Sequence, residues 1–258
     1  PLPVEHGALG LRQSDAVFCH IRQIPELMRR AFEAAEGSML AGVGVSTQPR
    51  KAEGSYMPVF LAGKAVADSI ASAVGVPIGY FSHQQGHIRA AEIGLQMPEE
   101  YIGVHLSGGT TELLRICRQG YTAEILGATQ DIAAGQWIDR TGVKLGLDFP
   151  AGRALEMLAA QTETAAPFTV TVKGMDLFFS GAETQTKQAI EKGVSKEEIA
   201  RGVFVSLGLA LSKAIVRAYQ ETGLEYVLVA GGVSANQLVK TVVTERCAKA
   251  ARRLSVAF

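Results

Sequence analysis

Apolar residues recur at helical spacing early in the chain. Ala16, Val17, Ile21, Ile24, Leu27, Met28, Ala31 and Phe32 predict a helix over 14–36, with Ser14 as its N-cap and Gly37 as its stop. Residues 40–46 form a short apolar run that predicts a buried strand, and a polar loop containing Pro49 and Gly54 leads to a second helix over about 59–73. A strand over 77–81 then delivers the chain to Ser82 and His83 and to an Ala-rich helix reaching about Gly94. This alternation predicts a parallel or mixed sheet covered by helices. After Pro98-Glu99-Glu100 the pattern changes: 101–106 and 112–117 read as an antiparallel hairpin about a Ser-Gly-Gly turn, with a third strand over 121–126. Helical spacing resumes over 132–146, 152–160 and 190–219, and a strand over 226–230 ends at Gly231-Gly232. The change near residue 98 divides the chain into an N-terminal lobe, 1–98, and a C-terminal lobe, 99–258.

Composition narrows the function classes. Of 258 residues, 47% are hydrophobic and 19% charged, below the roughly 25% charged of an average domain, so a sizeable core can be buried. Lys plus Arg and Asp plus Glu are 25 each, which argues against a broadly cationic nucleic-acid binder while leaving room for a local basic face. No uninterrupted apolar run reaches the 18 or so residues of a membrane span, and no leader pattern is present, so a cytoplasmic protein is expected. Cys19, Cys117 and Cys247 are far apart and odd in number, reading as buried thiols of a reducing compartment. The first residue is Pro1, and the strand-like pattern at 254–258 stops at the last residue, from which a truncated chain is expected.

Five segments carry candidate chemistry. In His83-Gln84-Gln85-Gly86-His87 two imidazoles four residues apart share a helix face and can grip one metal ion; the alternative is two partly exposed histidines at a helix start. A metalloprotease is disfavoured, because Gln84 stands where HExxH places its general base. Ser107-Gly108-Gly109-Thr110-Thr111 is either a phosphate-approaching turn or an ordinary hairpin turn. Gly231-Gly232-Val233-Ser234-Ala235-Asn236 follows a buried strand, and Ser234 or Asn236 opens a helix whose N-terminus favours an anion or nucleotide. Two such Gly-Gly turns point to a nucleotide cleft. Asp139 sits in Gly135-Gln136-Trp137-Ile138-Asp139, ahead of Pro150-Ala151-Gly152, with a solvated acid on an amphipathic helix as the alternative, and Asp176-Leu177-Phe178-Phe179-Ser180-Gly181-Ala182-Glu183-Thr184 alone is an apolar turn with a helix cap.

In this order the segments resemble one family, TsaD, the tRNA threonylcarbamoyladenosine transferases also called glycoproteases. Its patterns HxEGH, SGGHT, GxxFDKxxxxLG followed by PGG, FSGxKT and AGGVxAN are matched by residues 83–87, 107–111, 135–146, 150–152, 179–184 and 230–236. The resemblance implies the two-lobed α/β fold of actin, Hsp70 and sugar kinases, with ribonuclease H-like lobes and mixed sheets flanked by helices. It implies one divalent metal or iron ion (zinc among the candidates) on His83 and His87, and ATP or threonylcarbamoyl-adenylate between the lobes. It places Ser107, Gly108, Gly109 and Thr110 near the phosphates and carbamoyl end, Asp139 and Gly152 at the ribose, and Gly232 and Asn236 at the nucleotide, with Asp139 and Thr110 as the catalytic pair. It also implies tRNA as acceptor, a TsaB-like subunit as partner, and a homo- or heterodimer.

Three departures touch these motifs: Gln85 replaces the acid of HxEGH, Thr110 the histidine of SGGHT, and Glu183 the lysine of FSGxKT. The family's GPGLVG pattern is absent from the loop over 47–58. The resemblance further places an acidic nucleotide loop before Pro1 and a third metal ligand, an aspartate, after Phe258. Two readings follow: an active transferase, or a non-catalytic paralogue that pairs with another member of the family. A simple ATP-dependent kinase leaves the histidine pair without a role. Lys249, Arg252 and Arg253 are candidate tRNA contacts, though a solvated helix face is the favoured reading.

Overall fold

The computed structural model describes residues 12–258 except 52 and 120, so the first eleven residues of the expected N-terminal lobe lie outside the described residues. The chain runs α1 (Gln13–Ala34), β1 (Val43–Gln48), α2 (Val59–Val74), β2 (Ile78–Ser82), α3 (His83–Ala91), β3 (Glu100–Leu106), β4 (Thr111–Cys117), β5 (Thr122–Ala128), α4 (Ala134–Lys144) and α5 (Gly152–Ala159). It continues through β6 (Thr171–Lys173), β7 (Asp176–Phe178), α6 (Ser180–Glu191), α7 (Lys196–Thr222), β8 (Tyr226–Ala230), a 3-10 turn over Gly232–Ala235, α8 (Gln237–Ala250) and β9 (Ser255–Ala257). It forms two units, residues 1–86 and 87–258, the division falling inside α3.

In the first unit β1 and β2 pair in parallel from Val43 opposite Ile78 to Gln48 opposite Ser82, as the short apolar runs predict. The expected Ser14 cap is corrected: α1 begins at Gln13 behind Arg12, with no side-chain cap. α2 ends where Gly75 takes φ +73°, a left-handed C-terminal stop that costs glycine little. Along α1 only Ala16 is buried, while Phe18, Ile21, Leu27 and Phe32 are each about half exposed or more, Phe18 reaching 61%.

The second unit is built on a five-stranded sheet of order β5-β4-β3-β8-β9, antiparallel on the β3-β4-β5 side and parallel on the β3-β8-β9 side. The β3-β4 hairpin is the one expected from residues 101–117. β8 and β9 are joined through α8, as parallel neighbours must be. Because side chains alternate along a strand, Ile102, Val104 and Leu106 of β3 face one core with Leu113, Trp137, Phe179, Leu207 and Val229. Tyr101 faces the other, with Leu114, Ile116, Leu228 and Ile88 of α3. The β6-β7 hairpin has no counterpart among the expected strands: three residues a side are too few for a period to register.

α7 is 27 residues long and apolar on nearly every side, and by length and composition it could cross a membrane. Here it is the central helix of the larger core of the second unit, the one that Ile102, Val104 and Leu106 face, burying Ile199, Val203, Phe204, Leu207, Leu211, Ala214 and Ile215. Ser195 accepts from the Glu198 N–H at its start and Gly223 ends it at φ +72°. The three cysteines are free, but only Cys247 is buried, where burial pushes its thiol up to about 11; Cys19 and Cys117 are half-buried, correcting the expectation of three buried thiols.

Just past the end of α3 a buried carboxylate meets two more exposed arginines. Glu92 is 4% exposed, and it accepts from Tyr101 Oη and Arg89 with Arg118 Nε 3.9 Å away. Burial raises its carboxyl, yet the hydrogen bonds from Tyr101 and Arg89 and the charges of Arg89 and Arg118 outweigh this and leave it below the ordinary carboxylate range.

Candidate functional site

α3 opens on a reciprocal cap. Gln85 Oε1 accepts from the Ser82 N–H at 2.8 Å and lies 3.1 Å from the Ser82 hydroxyl, and Ser82 Oγ accepts from the Gln85 N–H at 3.2 Å. This is the S-x-x-Q box, which explains why an amide serves where the resembled family has an acid: either can accept from the capping N–H. His83 and His87 then fall one turn apart on the same helix, His83 exposed and His87 half-buried. The His83 ring meets the edge of Phe60 at 5.9 Å between centroids, and the His87 ring lies 5.0 Å from that of His105.

His105 is a further imidazole at this place that belongs to none of the five motif segments. It sits on β3, 3% exposed and directly opposite Glu112 of β4, which is equally buried. The signal was present as a lone imidazole within Tyr-Ile-Gly-Val-His-Leu and a lone carboxylate within Thr-Glu-Leu-Leu, polar groups inside runs that pack on both faces. No group of three His, Cys, Asp or Glu side chains able to hold a metal ion occurs among the described residues.

Close backbone approach brings two glycine-bearing turns and the first turn of α4 together in the second unit. Ser107 Oγ accepts from the Thr110 N–H at 3.0 Å and the Ser107 N–H donates to the Thr110 carbonyl at 2.8 Å, closing the turn between β3 and β4. Gly108 and Gly109 at its tip are exposed, and side chains there would meet open space. The start of α4 packs on this turn: Thr111 Oγ1 accepts from the Ala134 N–H at 2.8 Å, and a Cβ on Gly135 would lie 2.6 Å from Gly108 Cα and from the Ser107 carbonyl oxygen. On the other side a Cβ on Gly231, whose φ is +103°, would lie 2.2 Å from the Leu106 carbonyl oxygen. Ser107, Gly108, Gly109, Thr110 and Gly232 are thereby gathered at the β3 and β8 ends of one sheet, where α/β folds place ligands.

Asn236, and not Ser234, opens α8: its Oδ1 accepts from the Val239 N–H at 2.9 Å, while Ser234 donates to the Gly231 carbonyl within the turn. Asn236 is 6% exposed, and its Nδ2 has no acceptor among the described residues. A buried amide donor left open at the end of a Gly-Gly turn is costly unless a ligand or water completes it.

Asp139 and Gly152 are also brought together. Asp139 Oδ1 accepts from the Ala151 N–H at 2.9 Å, Gly152 adds a backbone hydrogen bond, and the Phe149-Pro150 peptide ahead of them is cis. Burial pushes the Asp139 carboxyl above the ordinary range, and these N–H groups only partly oppose it. Asp131 does a comparable service for the 179–184 segment, accepting from the Phe179 and Ser180 N–H groups at 2.9 Å each. Nothing local marks Asp131 for that role, since the contact spans 48 residues. Within α6, Glu183 draws in Arg140, Lys144 and Lys187 at 3.3–3.6 Å, so the acid that replaces the family's lysine is ion-paired three ways. Burial and the facing Lys187 hold the Lys144 ammonium below its ordinary value.

Comparison with known proteins gives a concordant result. The family profile described as TsaD, tRNA N6-adenosine threonylcarbamoyltransferase, matches residues 12–257. A protein of that description from Thermus thermophilus is 34% identical over 227 residues, spanning 86% of this chain and 68% of the relative. Another from Corynebacterium aurimucosum is 30% identical over 253 residues, spanning 92% of this chain and 71% of the relative. Among solved structures, full-length HypF in its phosphate- and nucleotide-bound form superposes with a TM-score of 0.66 at 14% identity, over 92% of this chain and 38% of that one. At that identity the likeness concerns the fold alone, and it agrees with the expected actin-like α/β architecture of mixed sheets flanked by helices.

Proposed function

This chain belongs to the TsaD family of tRNA N6-adenosine threonylcarbamoyltransferases, and from that premise we propose that it binds threonylcarbamoyl-adenylate and passes the threonylcarbamoyl group to N6 of a tRNA adenosine in the cytoplasm. The family is one of transferases, so the chain is a transferase and not a peptidase. In the transfer the amine nitrogen bonds to the carbamoyl carbon, the carbon–oxygen bond to the adenylate phosphate breaks, and the amine loses a proton as AMP leaves. The chain's part is to hold and orient the adenylate. The open turn at Gly108 and Gly109 takes the phosphate side with Ser107 and Thr110, and Asp139 fixes the corner that presents Gly152 to the ribose. Asn236, beside Gly232, donates Nδ2 to the nucleotide.

The open Nδ2 carries this reading, and it separates binding from folding. Asn236→Asp keeps an oxygen for the Val239 N–H, and so the α8 cap, but removes the donor. The expected result is an unchanged thermal midpoint with adenylate affinity reduced about tenfold by calorimetric titration, the loss of one buried hydrogen bond. Equal affinity in the two proteins would overturn the assignment.

The implied metal ion fares differently. His83 and His87 offer two nitrogen donors, and no third protein ligand stands with them among the described residues, whereas a stable site takes three or four. The set is incomplete for the ion, and no step is assigned to it.

We further propose that α1 docks a TsaB-like subunit or a second copy of this chain. The support is Phe18, Ile21 and Phe32, apolar side chains that share one face of α1 and are each about half exposed or more. Sedimentation of the protein alone and mixed with a TsaB-like subunit tests this: Ile21→Glu should lower the measured mass, and a wild type that stays monomeric in both would remove the proposal.

A further inference from the structure

A groove of about 680 Å³ runs between α7, α8 and the β6-β7 turn. α7 and α8 cross closely because Gly208 lacks a side chain: a Cβ there would lie 2.8 Å from Val242 Cβ. Beyond this crossing the two helices offer cations to the same groove, Lys213 and Arg217 one turn apart on α7 and Arg246 and Lys249 on α8, with Gln220 beside them. No carboxylate lines it. Arg217 is paired with Glu221 at 2.6 Å, but Lys213, Arg246 and Lys249 are exposed and make no ion pair with any described residue. Of the three cations near the chain's end, Lys249 alone lines the groove; Arg253 lies 3.6 Å from Glu225.

Unpaired cations held in a row by rigid helices repel one another, and a ligand carrying several negative charges relieves that repulsion. The floor between them is formed by Val172, Leu209, Val216 and Ala250, so the groove holds no aromatic ring on which a base could stack. The geometry points to a phosphodiester backbone: we infer that this groove binds RNA through its phosphates, without reading sequence, and steadies the acceptor tRNA on the second unit. The inference rests on the reading of this chain as a tRNA-acting enzyme. It also reconciles a formal charge of zero with an RNA substrate, because the cations need only be local.

The test uses the full protein, an unmodified tRNA transcript and poly(U), with binding followed by fluorescence anisotropy from 50 to about 300 mM salt. Replacing Lys213, Arg246 and Lys249 together with alanine is expected to weaken both RNAs at least about tenfold and to lower the slope of log affinity against log salt by about two to three. The thermal midpoint should hold, since all three side chains are exposed. Lys213→Glu alone should weaken binding in the same direction, and serves if the triple variant is unstable. Unchanged affinity and slope would overturn the groove. A wild type that binds poly(U) through these residues but does not prefer or modify tRNA would keep the groove and overturn the proposed function. Equal loss of polyglutamate binding would overturn RNA as the occupant in favour of acidic protein.

Discussion

Gly231→Ala is expected to destabilise the second unit by about 3 kcal/mol or more and to abolish adenylate binding, whereas Gly232→Ala, one residue on, is expected to cost about 1 kcal/mol or less. Gly231 takes φ +103°, a conformation that L side chains rarely adopt, and its added methyl would lie 2.2 Å from the Leu106 carbonyl oxygen. That oxygen belongs to β3, a central strand paired on both sides, so it cannot recede without disturbing the sheet. The displaced loop must instead pull away from the turn over Ser107–Thr110, opening the gathered glycine loops. Gly232 has open space around it. Urea unfolding followed by the emission of Trp137, the only tryptophan in the chain, compares the two variants directly. Coincident midpoints would show that Gly231 is not held against Leu106.

Trp137→Ala should cost about 3–5 kcal/mol, a large share of the 5–15 kcal/mol that holds an ordinary domain together. Trp137 is fully buried, stacked on Phe179 at 5.9 Å and edge-on to Phe168 at 6.4 Å, and its Nε1 donates to Thr186 Oγ1 at 3.1 Å. The indole therefore ties α4 to α6 and to the loop ahead of β6. Since α4 also carries Asp139 and packs its first turn on Gly108, loosening it should weaken adenylate binding as well as stability. Trp137→Phe keeps most of the packing and loses the hydrogen bond, so a cost of about 1–2 kcal/mol is expected. Far-UV circular dichroism during unfolding measures both, and an alanine variant as stable as the phenylalanine one would contradict the packing described.

Much of the local structure was legible in the residues. The apolar period of 101–117 and the intervening Ser-Gly-Gly place a hairpin correctly, because alternation and turn chemistry act within a few residues. The helix at 59–74 and the strand at 226–230 follow from the same short-range signals, and the helical spacing read over 190–219 falls on the end of α6 and on most of α7. The order of the site motifs, from His83 to Asn236, was equally visible.

What escaped was set by contacts distant in sequence. The β6-β7 hairpin is short and is held partly by Asp176, whose Oδ1 accepts from the Ala128 N–H 48 residues away. Asp131 caps α6 across a similar span. His105 looked like one residue of an apolar strand until α3 was laid over the sheet and brought His87 to it.

By itself the amino-acid sequence determined most of the elements, the glycine turns and the family, because periodicity, turn preference and motif spacing are written in neighbouring residues. Only the tertiary structure decided what those residues do. It showed that Gly135 and Gly231 are glycines because other backbones press against them, that Gln85 completes a helix cap, that Asn236 holds a donor in reserve, and that four scattered cations face one groove. Each of these depends on distances between chain segments, which packing fixes and residue order alone does not state.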